Sequence, residues 1–157
     1  MKEIKIYTDG GCRGNDSETD NIGAIGIVLI YEAKGHIKEY SEAFENTTNN
    51  KMELIAVIKA LQMLKEPCKV TIYSDSAYVV NAFEKGWLMQ WKKAGWYRPK
   101  GEELKNRELW QLLDILCARH DVTFEKVKGH SGDHYNERCD TLLNEAMDAH
   151  LKQQGGA

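Results

Sequence analysis

The sequence predicts an α/β fold in which helices flank a five-stranded mixed sheet. Three observations lead to this prediction. Short apolar runs with the two-residue period of strands fill the first third of the chain. The apolar spacing changes to the period of a helix after residue 49, and strands and helices alternate from there on. A length of 157 residues with 42% hydrophobic content is enough for one domain, 1–157, with a proper core.

Three strands open the chain as an antiparallel meander. Residues 2–9 form the first strand, and residues 22–31 (IGAIGIVLIY) form a second, more continuous apolar run. Residues 35–44 follow through Ala33-Lys34-Gly35, a plausible hairpin turn. These strands supply the antiparallel half of the sheet.

The second part of the chain supplies the parallel half. Its predicted elements are, in order, helix 50–65, strand 69–74, helix 76–84, an irregular Trp-rich segment 86–105, helix 106–119, strand 122–127 and helix 136–151. A right-handed connection through helix 50–65 makes strands 2–9 and 69–74 parallel neighbours. Residues from about 152 to 157 are expected to form a disordered tail.

Two of the predicted strands run directly into an aspartate, Asp9 and Asp75. Parallel neighbours place both carboxylates at one edge of the sheet, where ligand sites of open α/β sheets lie. Like charges about 4 Å apart repel by roughly 4 kcal/mol at an effective dielectric near 20. Such pairs are retained mainly where a proton or a divalent cation lies between them. Taken singly, each aspartate is equally well explained as a cap or turn residue.

Further candidates lie in the first long helix and after the last strand. Glu53 suits a capping or helix-dipole role, but it shares a side with apolar residues, and both interpretations stay open. Glycines around His130 predict a mobile loop at the sheet edge, and Asp140 follows in the opening turns of the last helix. Zinc bound by His130, His134 and Cys139 is an alternative, but no metal-type spacing supplies the remaining ligands.

The charge distribution indicates a polyanion bound at one place. The chain carries a net charge of −3, yet residues 85–107 hold seven Lys or Arg against two Glu, a local balance of +5. Trp87, Trp91 and Trp96 are interleaved there with cations such as Lys92 and Lys93. Core packing explains one of these tryptophans, whereas aromatics flanked by cations are typical of a nucleic-acid interface.

The cysteine pattern and the hydropathy exclude other classes. Four cysteines show no CxxC pair and no regular framework, which favours free thiols in a reducing cytoplasm. No signal-type segment and no long apolar span are present, so no membrane association is expected.

Six motifs, taken together, closely resemble ribonuclease H of type 1 in its bacterial single-domain form. They are Tyr-Thr-Asp-Gly-Gly at 7–11, Thr-Thr-Asn-Asn-Lys-Met-Glu-Leu at 47–54, Ser-Asp-Ser at 74–76, Trp-Lys-Lys-Ala-Gly-Trp at 91–96, Lys-Gly-His at 128–130 and Asn-Glu-Arg-Cys-Asp at 136–140. The resemblance runs in order from about residue 3 to 148, with no hybrid-binding module ahead of it. It implies an endonuclease that cuts the RNA strand of RNA–DNA hybrids and leaves 5′-phosphate and 3′-hydroxyl ends, acting as a monomer.

The resemblance also implies roles for individual residues. The four carboxylates that would hold two Mg²⁺ ions, with Mn²⁺ as a substitute, are Asp9, Glu53, Asp75 and Asp140. His130 would assist proton transfer or product release without being a metal ligand. Residues implied in reading the RNA strand are Gly11, Cys12, Asn15, Asn49 and Asn50. Residues implied on the DNA strand are Thr48 and Asn106 at a phosphate, and Trp87 and Trp91 on deoxyribose. Lys92 and Lys93 of the basic segment are expected to bind substrate as well.

One segment departs from the family pattern, and two rival functions are considered. Residues 15–21 form a longer, acidic loop where the family usually has a short Gly/Pro-rich turn. That difference leaves the role of Asn15 open, and the loop is either simply solvated or tunes metal or substrate affinity. A hybrid-binding module without catalysis is disfavoured by the intact carboxylate set. A junction resolvase or integrase core is disfavoured by the Trp-rich basic segment and the Lys-Gly-His loop.

Overall fold

The computed structural model describes residues 1–14, 20–127 and 133–155 of the chain. Its strands are β1 (Lys2–Arg13), β2 (Ile22–Tyr31), β3 (His36–Glu45), β4 (Cys68–Ser74) and β5 (Asp121–Lys126). Its α-helices are α1 (Asn49–Gln62), α2 (Ala77–Glu84), α3 (Trp87–Lys93), α4 (Arg107–Ala118) and α5 (His134–Gly155). Short 3₁₀ turns occupy Glu32–Lys34 and Pro99–Gly101.

The five strands form one mixed sheet in the order β3-β2-β1-β4-β5. Strand β2 pairs antiparallel with both β1 and β3, whereas β4 pairs parallel with both β1 and β5. The predicted fold class is therefore confirmed. The hairpin between β2 and β3 turns at Gly35, whose φ of 64° lies in the left-handed region that favours glycine.

Helices cover both faces of the sheet around β2. On one face, Ile25 and Ile27 join the main core with residues of α1, such as Leu54. On the other face, Ala24 and Val28 lie against α5 in two smaller apolar clusters. Burial on both faces explains why β2 reads as a continuous apolar run rather than an alternating one.

Strand β1 is longer than the sequence predicted, because its two neighbours end at different points. Parallel pairing with β4 stops at Tyr7 opposite Tyr73, close to the predicted end at residue 9. Antiparallel pairing with β2 continues to Arg13 opposite Ile22. The end of β1 therefore projects past β4, and the sheet opens into a notch at that point.

Helix α5 also extends beyond its predicted bounds of 136–151. Asp133 caps its start, since the Asp133 Oδ1 accepts from the backbone N of Tyr135 at 3.1 Å and of Asn136 at 3.0 Å. At the other end, residues 152–155 are helical where the sequence predicted a disordered tail, and the Gln154 side chain donates to Glu45. Within the described ranges, no helix is both long and apolar enough to cross a bilayer.

Candidate metal centre and nucleic-acid interface

Three carboxylates converge at the notch where β4 ends. Asp9 and Asp75 each lie two residues beyond the last β1–β4 pair, Tyr7 opposite Tyr73. Glu53 reaches the same point from α1, and one carboxylate oxygen from each residue lies within 4.8 Å of the others. The structure therefore brings together Asp9, Asp75 and Glu53, as expected from the parallel arrangement of the two strands.

Glu53 faces inward because α1 lies directly against the backbone of β1. A Cβ on Gly10 would lie 2.4 Å from the Met52 carbonyl carbon and 2.6 Å from the Glu53 nitrogen, so this approach requires glycine. The helix is capped by Thr48, whose Oγ1 accepts from the Lys51 nitrogen at 3.2 Å. Since its first turn holds no acidic residue, the capping interpretation of Glu53 is wrong and the inward-facing one is correct.

Burial and mutual repulsion oppose the ionised forms of these acids. Asp9 is only 8% exposed. Burial, followed by repulsion from Asp75 and Asp140, raises the Asp9 pKa from 3.8 to about 8. The pKa of Glu53 is raised well above its usual range by burial and then by Asp9 and Asp75. The Gly10 nitrogen donates to Asp9 Oδ1 at 3.0 Å, which offsets only part of this effect.

Asp140 reaches the same cleft from the opposite face of the sheet. Gly26 pairs with Asp9 across β1 and β2, and a Cβ on Gly26 would lie 2.1 Å from the Cys139 carbonyl oxygen. Glycine at this position therefore lets α5 lie on the sheet beside Asp9. Asp140 lines a cleft of about 290 Å³ together with Asp9 and Asp75. It lies outside the tight group of three carboxylates.

The same cleft contains polar residues that the sequence did not single out, Arg13, Asn136 and Asn144. Asn136 is 5% exposed, and its Oδ1 has no hydrogen-bond partner among the described residues. Asn136, Asp140 and Asn144 are spaced by four residues, which places them on one face of α5. That spacing was the signal available in the sequence, and it points to these residues once Asp140 is assigned to the site.

The residues expected to read the RNA strand lie around this cleft. Gly11 and Cys12 line it, and the Cys12 nitrogen donates to Asn49 Oδ1 at 3.0 Å. Asn49 thereby connects the start of α1 to the end of β1. Asn50 is exposed on the adjoining side, while Asn15 lies outside the described residues.

A second cleft, of about 950 Å³, brings together Thr48, Asn50 and Asn106. Its rim also carries three cations, Lys51, Lys105 and Arg107. Asn106 has a φ of 58°, and its Nδ2 donates to the Tyr78 hydroxyl at 3.1 Å. Thr48 and Asn106 thus line one cleft, which also carries the acidic residues Glu103 and Glu108.

The Trp-rich segment is more closely tied to the core than the sequence indicated. Trp87 is 37% exposed, with the Lys85 Nζ 5.6 Å from its ring centroid. Trp91 and Trp96 both pack partly against the main core, so core packing explains two of these tryptophans rather than one. The reason is α3, which lays Trp91 on the buried Trp110 ring at a centroid distance of 5.2 Å. Lys92 pairs with Asp114 of α4 at 3.1 Å.

His130 lies outside the described residues, so the structure gives no geometry for the predicted histidine. The position of Cys139 does not support the alternative of a zinc site. Its side chain is 0% exposed in an apolar cluster with Val28, Ile30 and Leu142, and burial raises the pKa of its thiol. Cys139 therefore packs as a small apolar residue.

Comparison with known proteins identifies the family. A family model described as RNase H matches residues 1–148. The chain belongs to the ribonuclease H family. A curated ribonuclease H from Clostridium botulinum (strain Hall) is 57% identical over 148 residues, covering 94% of this chain and 97% of the relative.

Solved structures of type 1 ribonucleases H share the fold. LC9-RNase H1, described as a type 1 RNase H with the type 2 active-site motif, is similar with a TM-score of 0.81 and 29% identity. That similarity covers 92% of this chain and 72% of the other. LC11-RNase H1, crystallised in complex with an RNA/DNA hybrid, has a TM-score of 0.66 and 30% identity over 94% of this chain and 99% of its own. The five-stranded mixed sheet is thus the ribonuclease H fold.

Proposed function

We propose that this chain is a metal-dependent endonuclease that hydrolyses the RNA strand of RNA–DNA hybrids, leaving 5′-phosphate and 3′-hydroxyl ends. The observation that carries the proposal is the convergence of Asp9, Glu53 and Asp75 at one edge of a ribonuclease H sheet. The similarity to a ribonuclease H crystallised with an RNA/DNA hybrid supports the substrate. A hybrid-binding module without catalysis would not need to retain carboxylates whose charged forms are so disfavoured.

The residues fit a site for divalent cations, for which we propose two Mg²⁺ ions, with Mn²⁺ as a substitute. Glu53 Oε2 is buried and has no hydrogen-bond partner among the described residues, as expected of an atom meant for a cation. Carboxylate oxygens are the ligands that Mg²⁺ prefers. The proposed ligands are Asp9, Glu53, Asp75 and Asp140. When bound, the ions supply Lewis acidity that lowers the pKa of a water and offsets charge on the leaving oxygen.

The chain itself sets the geometry around that chemistry. Asp9 lies on β1 and Asp75 directly follows β4, and the last pair of these strands is Tyr7 and Tyr73, whose stacked rings have centroids 4.6 Å apart. Paired strands and packed rings next to the two aspartates favour a site whose ligands are in place before substrate binds. We propose that His130, which precedes α5 in the sequence, assists proton transfer at the leaving group without binding metal.

Substrate choice is proposed to depend on contacts to sugar and phosphate rather than to bases. The 2′-hydroxyl marks ribose, and the residues proposed to read it are Gly11, Cys12, Asn15, Asn49 and Asn50. Thr48 and Asn106 are proposed to bind a DNA phosphate, since they share a cleft rimmed by cations. The residues proposed to contact the DNA strand through the Trp-rich segment are Trp87, Trp91, Lys92 and Lys93. Sequence preference should accordingly be weak.

We further propose that residues 1–157 act as one domain, as a monomer, in the cytoplasm. The four cysteines are thiols in the structure, which is compatible with a reducing compartment.

The decisive experiment compares labelled RNA–DNA hybrid, double-stranded RNA and double-stranded DNA, each with Mg²⁺ or with EDTA. The expected result is cleavage of the hybrid alone, within its RNA strand and only when Mg²⁺ is present. Cleavage of duplex DNA, or cleavage of the hybrid that persists in EDTA, would overturn the proposal. Mapping the end groups of the product tests the predicted 5′-phosphate and 3′-hydroxyl.

A further inference from the structure

A hydrogen-bonded chain connects the end of β1 to the fourth carboxylate. Arg13, the last residue of β1, donates from Nη2 to Asn144 Oδ1 at 2.9 Å and from Nη1 to Asp148 Oδ1 at 2.6 Å. Asn144 Nδ2 donates to the Asp140 carbonyl oxygen at 2.9 Å and lies 3.4 Å from Asp140 Oδ1. Arg13, Asn144 and Asp140 all line the cleft of the carboxylate group. The chain of contacts therefore ends at Asp140, a residue that lines the cleft.

The spacing along α5 makes this chain of contacts continuous. Asp140, Asn144 and Asp148 follow one another at intervals of four residues, so they form one stripe of the helix. Arg13 spans two members of that stripe from the neighbouring strand, and its Nη2 also lies 3.4 Å from the Asn144 carbonyl oxygen. Besides the Asn144 amide oxygen, two further acceptors therefore hold the guanidinium, the Asp148 Oδ1 and the Asn144 carbonyl oxygen.

The arginine supports one orientation of the Asn144 amide. A guanidinium only donates hydrogen bonds, so the group that faces Arg13 must be the amide oxygen. The amide NH₂ is then directed at Asp140. The Asp140 carbonyl oxygen and Oδ1 are also acceptors, so the contacts at both ends of the Asn144 amide favour the same orientation.

We infer that Arg13 and Asn144 are positioning residues that hold the Asp140 carboxylate toward the metal cleft. Asp140 needs such a restraint, because it is the ligand candidate outside the tight group of three and is repelled by Asp9 across the cleft. At 3.4 Å the contact to Oδ1 is long for a hydrogen bond, so it guides the carboxylate without holding it away from a cation. This inference rests on the proposed metal-dependent function.

The test measures metal binding without substrate. The Mg²⁺ dissociation constant, fitted from the rise of Tm with Mg²⁺ concentration, is compared among the wild type, Asn144→Ala and the control Thr141→Ala, an exposed position on the same helix. Asn144→Ala should raise that dissociation constant by about 10-fold, the size of effect expected when a partner of a metal ligand is removed. Arg13→Ala should shift it in the same direction by less, and Thr141→Ala should leave it unchanged. Hybrid cleavage should show the same shift in its Mg²⁺ dependence.

The Asp140→Asn background separates positioning from a merely structural role. If Asn144 acts through Asp140, then Asn144→Ala adds no further shift in that background. An unchanged Mg²⁺ dissociation constant in Asn144→Ala, or an equal shift with and without the Asp140 carboxylate, would overturn the inference. Should Asn144→Ala fail to fold, Arg13→Ala carries the same comparison. A wild type that neither responds to Mg²⁺ nor cleaves hybrids contradicts the proposed function itself, which distinguishes the two failures.

Discussion

Asp9→Asn should stabilise the metal-free protein while it abolishes hydrolysis. The substitution keeps the size of the side chain and removes a charge that burial and two neighbouring carboxylates disfavour. Stability and activity should therefore change in opposite directions, as expected at a site that is strained for function. Binding of the uncleaved hybrid should persist or strengthen, because a negative charge near the phosphates is lost.

The size of the effect follows from the pKa of Asp9, about 8 in the folded protein against an ordinary 3.8. Below about pH 4 the group is protonated in both states, and its titration costs no stability. Between the two values, the folded state keeps a proton that the unfolded state has lost, so stability falls as pH rises by up to about 1.4 kcal/mol per pH unit. At pH 7 the cost, and with it the expected gain from the substitution, is about 4 kcal/mol at most.

Urea unfolding in EDTA measures this gain at several pH values. The gain in stability from Asp9→Asn should be about twice as large near pH 8.5 as near pH 5.5. The reason is that the cost of the ionisable group grows with pH from 3.8 up to about 8, the folded-state pKa of Asp9. The control is Asp121→Asn, an exposed aspartate at the start of β5, which should change stability by less than about 0.5 kcal/mol. Added Mg²⁺ should stabilise the wild type more than the variant. A gain that is absent, or that does not vary with pH, would refute the electrostatic reasoning.

Two further substitutions test the close helix contact and the basic segment. Gly26→Ala should destabilise the protein by about 1–3 kcal/mol and lower kcat, because the new methyl would displace α5 and with it Asp140; unfolding and steady-state assays measure both. Gly35→Ala, where nothing lies within 4 Å, should leave kcat unchanged. Replacing Trp87, Lys92 and Lys93 together by Ala should raise KM and flatten its salt dependence more than it lowers kcat. A fall in kcat at constant KM would contradict the proposal that this segment binds the substrate.

The sequence predicted how the carboxylates at the strand ends are arranged, but it did not predict the residues and contacts around them. Asp9 and Asp75 could be paired in advance, because the ends of parallel neighbours meet at one edge. Glu53 could not be decided, since a helix start accommodates a capping acid as readily as an inward-facing one. Only the observed cap at Thr48 separates the two. The Arg13–Asn144 contact was invisible because it depends on how α5 lies across the end of β1.

The two glycines beside Asp9 explain why the site forms at this point of the sheet. Gly10 and Gly26 face opposite sides, and each allows a helix backbone to approach where a Cβ would clash. Beside Gly10, helix α1 places Glu53 close to β1, and beside Gly26, helix α5 brings Asp140 to the same region. Acidic residues from both faces of the sheet therefore lie near Asp9. On the α1 face, Ile6 and Ile27 fill the space with side chains where the strands carry no glycine. The proposed metal site therefore lies where helix backbones approach the sheet from both faces, and the adjoining apolar core offsets the cost of this charge cluster.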